Sequence, residues 1–307
     1  MPLLKEFNIK HPFGRHEKEI KDTLNVLFGP PEQDYRYEFP KNLSSRSELD
    51  KLKPFREWAR ESLDKGLDRT SWQGHGDGHI ARTVVYAGLL LEIMKENGGV
   101  QLSNEQRAAI MLACVTHDLR YKSDKFEAVV PGKIIGHQSR ASDRQWLRGI
   151  FVDLAEKGVS YFSEVEADKV IQLTSQINRV HDYGDDSEAL ATLKKDFPEA
   201  NIKELPLELE IFKDIDAGLE RLRTEEAYKR ILNRVGLLPE SFKKAILKQS
   251  WVEDSLRRFH FPHFEETRQL LPFAFHLYHL SMKNPEYKKD QWKITMDIAQ
   301  TLGAITK

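Results

Sequence analysis

Sulfur ligands are almost missing from this chain, since a single cysteine, Cys114, stands among 307 residues. One thiol excludes an intrachain disulfide and any multi-thiolate zinc or iron–sulfur site. Cys114 lies in the apolar run from Ala109 to Thr116, which predicts a buried structural thiol. Long hydrophobic runs are missing too: no stretch approaches the roughly 18 apolar residues that a membrane span requires. Neither sign of charge is in excess, with 47 Lys and Arg against 48 Asp and Glu. The molecule as a whole therefore lacks the positive field of a nucleic-acid binder, and nucleic acid is not an expected partner. There is no Gly-rich phosphate loop, no Gly-x-Ser-x-Gly elbow and no paired-Cys motif, which removes the commonest nucleotide and hydrolase chemistries. The opening Met1-Pro2-Leu3-Leu4-Lys5-Glu6 lacks the basic and then apolar regions of a secretory signal. A cytoplasmic location is the expectation, with a secreted effector as the alternative.

What is present is a globular composition, 40% apolar and 31% charged, dominated by helical periodicity without strand alternation. The expected fold class is all-α. Residues 1–70 read as an accessory helical region, broken at Phe28-Gly29-Pro30-Pro31 and carrying a helix from Glu48 to Lys65. Residues 71–225 read as the core, and 226–307 as a C-terminal helical extension packed on it. Within the core, Ile80, Val84, Ala87, Leu91 and Met94 recur at helical steps and form one apolar face, and Asn97-Gly98-Gly99 ends that helix. Ser103 caps the next helix, with Gln106 in capping-box position, and this helix runs to His117-Asp118. Further helices are expected from about Ser139 to Lys157, through Val170, Leu173, Ile177 and His181, and through Leu209, Phe212, Leu219 and Leu222. The polar stretch 182–206 reads as a broken surface excursion.

Three features on separate elements then converge in kind. A His opens one helix (His79), a His-Asp pair closes another (His117, Asp118), and Asp216 sits inside a later helix. Nitrogen and oxygen donors arriving from several elements are what a hard or borderline divalent cation needs. At a helix end the backbone can aim both members of the adjacent pair inward, although within a helix they would diverge by about 100°. Asp214 competes with Asp216, because both share faces with apolar neighbours, and periodicity leaves the two open. Arg82, Arg120, Lys122, Lys125, Arg140 and Arg144 supply cations near these positions, Arg82 being fixed one turn after His79. His276 and His279 stand three apart on an aromatic helix with no third ligand in view, so packing is their favoured reading. His260 and His263 around Pro262 carry no signal of their own.

The string His75-Gly76-Asp77-Gly78-His79-Ile80-Ala81-Arg82-Thr83-Val84 resembles the entry motif of the HD-domain superfamily of metal-dependent phosphohydrolases. Thr116-His117-Asp118-Leu119 resembles the pair that names that superfamily, and Asp214-Ile215-Asp216-Ala217-Gly218-Leu219 its late Asp-Ala-Asp stretch. The resemblance covers about 75–225 and preserves the order His, His-Asp, Asp. It implies an HD-domain-like helical bundle in which His79, His117, Asp118 and Asp216 hold a first cation. The remaining Asp would then orient a ligand His. His137, in Gly136-His137-Gln138-Ser139-Arg140-Ala141, and His181 stand where binuclear members place further ligands. The ion would be manganese, iron, cobalt, nickel, magnesium or zinc, one or two per chain. The substrate would be a small phosphorylated molecule, nucleotide-like by analogy, with His75 or His137 as general acid. The family commonly follows its His-Asp pair with a small residue and a Lys or Arg. Here the order is Leu119-Arg120-Tyr121-Lys122, which moves the expected phosphate-contacting cation to Arg120 or Lys122. The His-Gly-x-x-His opening is also similar to bacterial effector phosphodiesterase domains of the SidE type, which would imply a protein-attached phosphoribosyl substrate. A non-catalytic nucleotide-binding sensor on the same fold is the third expectation.

Overall fold

The computed structural model describes residues 37, 39, 45–63, 76–118, 141–159, 167–181, 183, 185–220 and 262–306, and these contain helices and no strand. The all-α expectation holds for them. The helix expected over 48–65 is two: α1 (Arg46–Asp50) and α2 (Lys53–Leu63). The division has a local cause. Pro54 lacks an N–H and is tolerated only in a first turn, so a new helix must begin just before it. Residues 64 and 65 lie outside the described residues.

Helix α3 (Asp77–Asn97) is the hub, and every residue from Gly78 to Leu91 is buried. The apolar positions expected to form one face are joined by Ala81, Val85, Leu89 and Leu90, which are buried as well. A helix apolar all round must be surrounded, and this one is. It packs against α1, α4 (Asn104–Thr116), α9 (Glu265–Lys283) and α10 (Gln291–Thr301). Gly98 ends α3 in the left-handed conformation at φ 67°, its N–H bonded to Met94 O. Ser103 opens α4 through the expected capping box, its Oγ accepting from Gln106 N while Gln106 Oε1 accepts from Ser103 N.

Helix α5 begins later than the sequence suggests. It spans Arg144–Glu156 and is capped by Asp143, whose carboxylate accepts from Gln145 N and Trp146 N. A carboxylate so placed satisfies the orphan donors of a new helix, so Ser142-Asp143 is a boundary rather than a helix interior. Helix α6 (Ala167–Val180) packs against both α4 and α5. The stretch 182–206, expected to be a broken surface excursion, instead contains α7 (Asp186–Asp196) and a 3₁₀ turn over Pro198–Ala200. Asp185 caps α7, and Ala189, Leu193 and Phe197 form a thin buried stripe at four-residue steps, with α7 lying on α6. Three buried apolar residues among charged neighbours of both signs are enough to dock a short helix yet too few to stand out in composition.

Helix α8 (Leu207–Lys213) runs into a π-helical segment, Asp214–Leu219. That segment touches α3 and α9, and α8 touches α4 and α6. The elements that carry the candidate site residues therefore touch one another. Among the described residues no helix is long and apolar enough to cross a membrane.

Candidate metal centre

His79 is the third residue of α3, His117 caps the C-terminus of α4, and Asp118 follows it. Asp216 projects from the π segment, and His181 follows the last residue of α6. All five are buried, from 1% exposure at His117 to 7% at Asp216. Their ligand atoms converge. His79 Nε2 lies 3.2 Å from His117 Nε2, 3.3 Å from Asp118 Oδ2 and 3.3 Å from Asp216 Oδ1. His117 Nε2 lies 3.2 Å from Asp118 Oδ2 and 3.6 Å from Asp216 Oδ1. A ligand atom of His181 comes within 4.8 Å of those of His117 and Asp216, and its ring meets that of His117 edge-on. Phe212 closes the apolar side, its ring against both His117 and His181.

Ring tautomers follow from the outer partners. His117 Nδ1 faces Ala113 O at 3.0 Å and His181 Nδ1 faces Asn178 O at 3.1 Å. His79 Nδ1 faces Glu220 Oε2 at 3.0 Å. Each partner is an acceptor, so each Nδ1 carries hydrogen and donates. In the neutral rings the lone pair then belongs to Nε2. Imidazole lone pairs and carboxylate oxygens crowded together repel unless positive charge sits among them. In the protein alone that charge is a proton. Burial pushes the His117 pKa down, but the Asp118 and Asp216 carboxylates outweigh it and hold the group well above 6.5. Burial pushes Asp216 up, and His117 and His79 overcome it, holding its carboxyl well below the usual range. Burial chiefly, with the Asp216 charge behind it, pushes the Cys114 thiol well up, so this buried cysteine is an inert neighbour.

The donor set fits a divalent cation. Metal–ligand bonds of about 2.1 Å place neighbouring ligand atoms roughly 3.0 to 3.4 Å apart in octahedral or tetrahedral shells. Four of the five separations here, at 3.2 to 3.3 Å, lie in that range, and the His117–Asp216 distance of 3.6 Å lies just beyond it. His79, His117, Asp118, Asp216 and His181 could therefore hold a metal ion.

Asp214 and Asp216, which periodicity left open, face different ways. Asp214 is fully buried, and its two oxygens accept from His263 N at 2.9 Å and Phe264 N at 3.1 Å, just ahead of α9. It fastens the C-terminal helices to the core, and a further carboxylate, Glu220, faces Nδ1 of His79. Arg82 also has a different place from the one expected. It is 1% exposed, its Nε and Nη2 donate to Glu220 at 2.7 and 3.2 Å, its Nη1 donates to Tyr287 Oη at 2.7 Å, and it lies over the Tyr278 ring. A guanidinium committed to a buried carboxylate is not an open phosphate contact. Arg144 pairs with Glu199 on the surface and lies over the Phe197 ring. His276 packs against Tyr37, whose hydroxyl also donates to Pro272 O at 3.0 Å. His75, Arg120, Lys122, Lys125, His137, Arg140, His260 and the side chain of His279 lie outside the described residues.

Four contributors had no motif of their own. Arg56 of α2 is buried, with Nε 3.2 Å from Asp77 Oδ1 and Nη1 donating to Val115 O at 3.4 Å. It ties the start of α3 to the end of α4, two residues from His79 and His117 respectively. Glu220 stands four residues after Asp216, one helical turn, and that spacing could have nominated it. Tyr287 and Gln291 reach α3 from far along the chain, and nothing local marks them. Comparison with family models, curated proteins and solved structures finds no match for this chain.

Proposed function

We propose that this chain is a metal-dependent phosphohydrolase of the HD type, acting on a phosphomonoester or phosphodiester of a nucleotide or another small molecule. The observation that carries the reading is the buried convergence of His79, His117, Asp118 and Asp216, with His79 and His117 bonded through Nδ1 so that their Nε2 atoms face inward. The resemblance of the three motifs to the HD superfamily supports the reaction class. His79, His117, Asp118 and Asp216 would hold the cation, with His181 beside them. A bound divalent cation supplies an acidified water near neutral pH and an electrophile for a phosphoryl oxygen. The chain's own residues keep the ring nitrogens in one tautomer, hold the Asp216 carboxylate ionised and exclude bulk water through Phe212 and the buried walls. Arg120 and Lys122, close after Asp118, are the proposed phosphate contacts, and His75 or His137 the proposed proton donor to the leaving group.

Elemental analysis of purified protein beside His117→Ala and Asp118→Ala, with folding checked by circular dichroism, tests the reading. Wild type should carry near-stoichiometric metal after supply of manganese, cobalt or nickel, and hydrolyse a chromogenic phosphoester. Both properties should fall at least tenfold in the folded variants. A wild type that stays empty after metal is supplied would sink the proposal.

A further inference from the structure

His117 and His181 anchor their rings on their own helices. The acceptor for His117 Nδ1 is Ala113 O, four residues back, and for His181 it is Asn178 O, three residues back. His79 is the third residue of α3. Its Nδ1 partner comes instead from a segment 141 positions away, as Glu220 Oε2 at 3.0 Å. Asp216 Oδ1 meets the opposite nitrogen of the same ring at 3.3 Å. Two carboxylates one helical turn apart thus take the two ends of one imidazole.

Glu220 is itself held in place. Arg82, one turn along α3 from His79, grips both of its oxygens, and Tyr287 Oη accepts from Arg82 Nη1. Tyr287 reaches that point only because residue 78 is glycine: a Cβ there would fall 1.7 Å from Tyr287 Oη and 2.6 Å from its Cζ. Gly78 N also donates to Gln291 Oε1 at 2.8 Å. The row Tyr287, Arg82, Glu220, His79 is buried throughout, with Tyr287 7% and Glu220 2% exposed.

We propose that Glu220, held by Arg82 and Tyr287, is the positioning residue that fixes the His79 ring as its Nδ1–H tautomer with Nε2 aimed into the candidate metal centre. The inference deepens the metal-site reading and rests on it for its consequence, which is cation affinity. A carboxylate behind a ligating imidazole orients the ring and makes it a stronger donor, and losing such a partner weakens metal binding by about 10- to 100-fold.

Glu220→Gln keeps the shape and removes the charge. Arg82→Met/Glu220→Met removes the buried pair together, so that no lone charge remains to unfold the protein. Two measurements are made on the full chain, wild type beside both variants. Long-range nitrogen–proton NMR of the metal-free protein reads the His79 tautomer, and cobalt(II) titration followed by its visible absorption reads affinity. The expected result is an Nδ1–H ring in wild type, loss of that single tautomer in the double variant, and cobalt binding weakened at least tenfold in each folded variant. An unchanged tautomer, or unchanged cobalt affinity in the folded double variant, would overturn the proposal. A tautomer that changes as expected in a protein whose wild type takes up no cobalt would uphold the positioning by Glu220 and sink the metal reading instead.

Discussion

At the scale of single residues, the chemistry is governed by where protons sit. His117 is held protonated by Asp118 and Asp216 against the opposing effect of burial. Its ionic contribution to the metal-free fold is complete below about 6.5, the ordinary histidine value, and is lost as pH rises through the raised value in the folded protein. The Asp216 contribution has the opposite sign: it is present above the ordinary carboxyl value of 3.8 and is lost as pH falls through the depressed folded value. A cation entering the site must displace the His117 proton. Calorimetric titration of zinc or cobalt in buffers of different ionisation enthalpy should therefore show close to one proton released near neutral pH. Affinity should rise with pH and level off once His117 is neutral without help. Absence of proton release at pH 7 would contradict this assignment of the charge.

Gly78 is the other decisive residue, because its missing side chain is the space into which Tyr287 fits. Gly78→Ala should destabilise the protein by roughly 1–3 kcal/mol, the usual cost of forcing extra volume into a packed interior. Combined with Tyr287→Ala it should cost less than the sum of the two single changes, as expected for residues in direct contact. Urea unfolding of the two single variants and the double variant checks this; strictly additive losses would show that the side chains do not compete for the same space.

Among the elements, α4 was read closely from sequence and the π segment was not. Ser103 and Gln106 announce the start of α4, and His117 stands at its end as the His-Asp pair suggested. The cap lies a full helix away from the candidate centre, which separates stability from function. Ser103→Ala should cost about 1 kcal/mol, measured by denaturant unfolding, and leave cation uptake unchanged. A loss of uptake equal to that of His117→Ala would mean that fraying at one end of α4 reaches the other. The π segment is a different kind of element. Two residues apart on a helix, Asp214 and Asp216 face opposite ways, the first toward the backbone before α9 and the second toward the histidines. Such π segments recur at functional sites. A 3.6-residue periodicity could not have told the two aspartates apart, since both of their faces carry apolar neighbours and both are buried.

Across the whole molecule, residues remote in sequence hold the centre. Arg56 from the N-terminal region ties together the ends of α3 and α4. Tyr287 and Gln291, near the chain's other end, close on the first turn of α3. The described C-terminal helices α9 and α10 pack directly on α3 and on each other, so their apolar faces complete the hub's surroundings.

The sequence by itself determined the helical class, the caps of α3 and α4, the buried state of Cys114, and which histidines and aspartates stand at helix ends or inside helices. These follow from local causes: hydrophobic period, capping chemistry, and the φ freedom of Gly98. Only the tertiary structure decided that Asp216 rather than Asp214 joins the histidines, that Arg82 faces Glu220, and that Glu220 stands behind His79. Each of those outcomes depends on the partner met across the core, and a polar side chain's partner is set by long-range packing rather than by its neighbours in the chain.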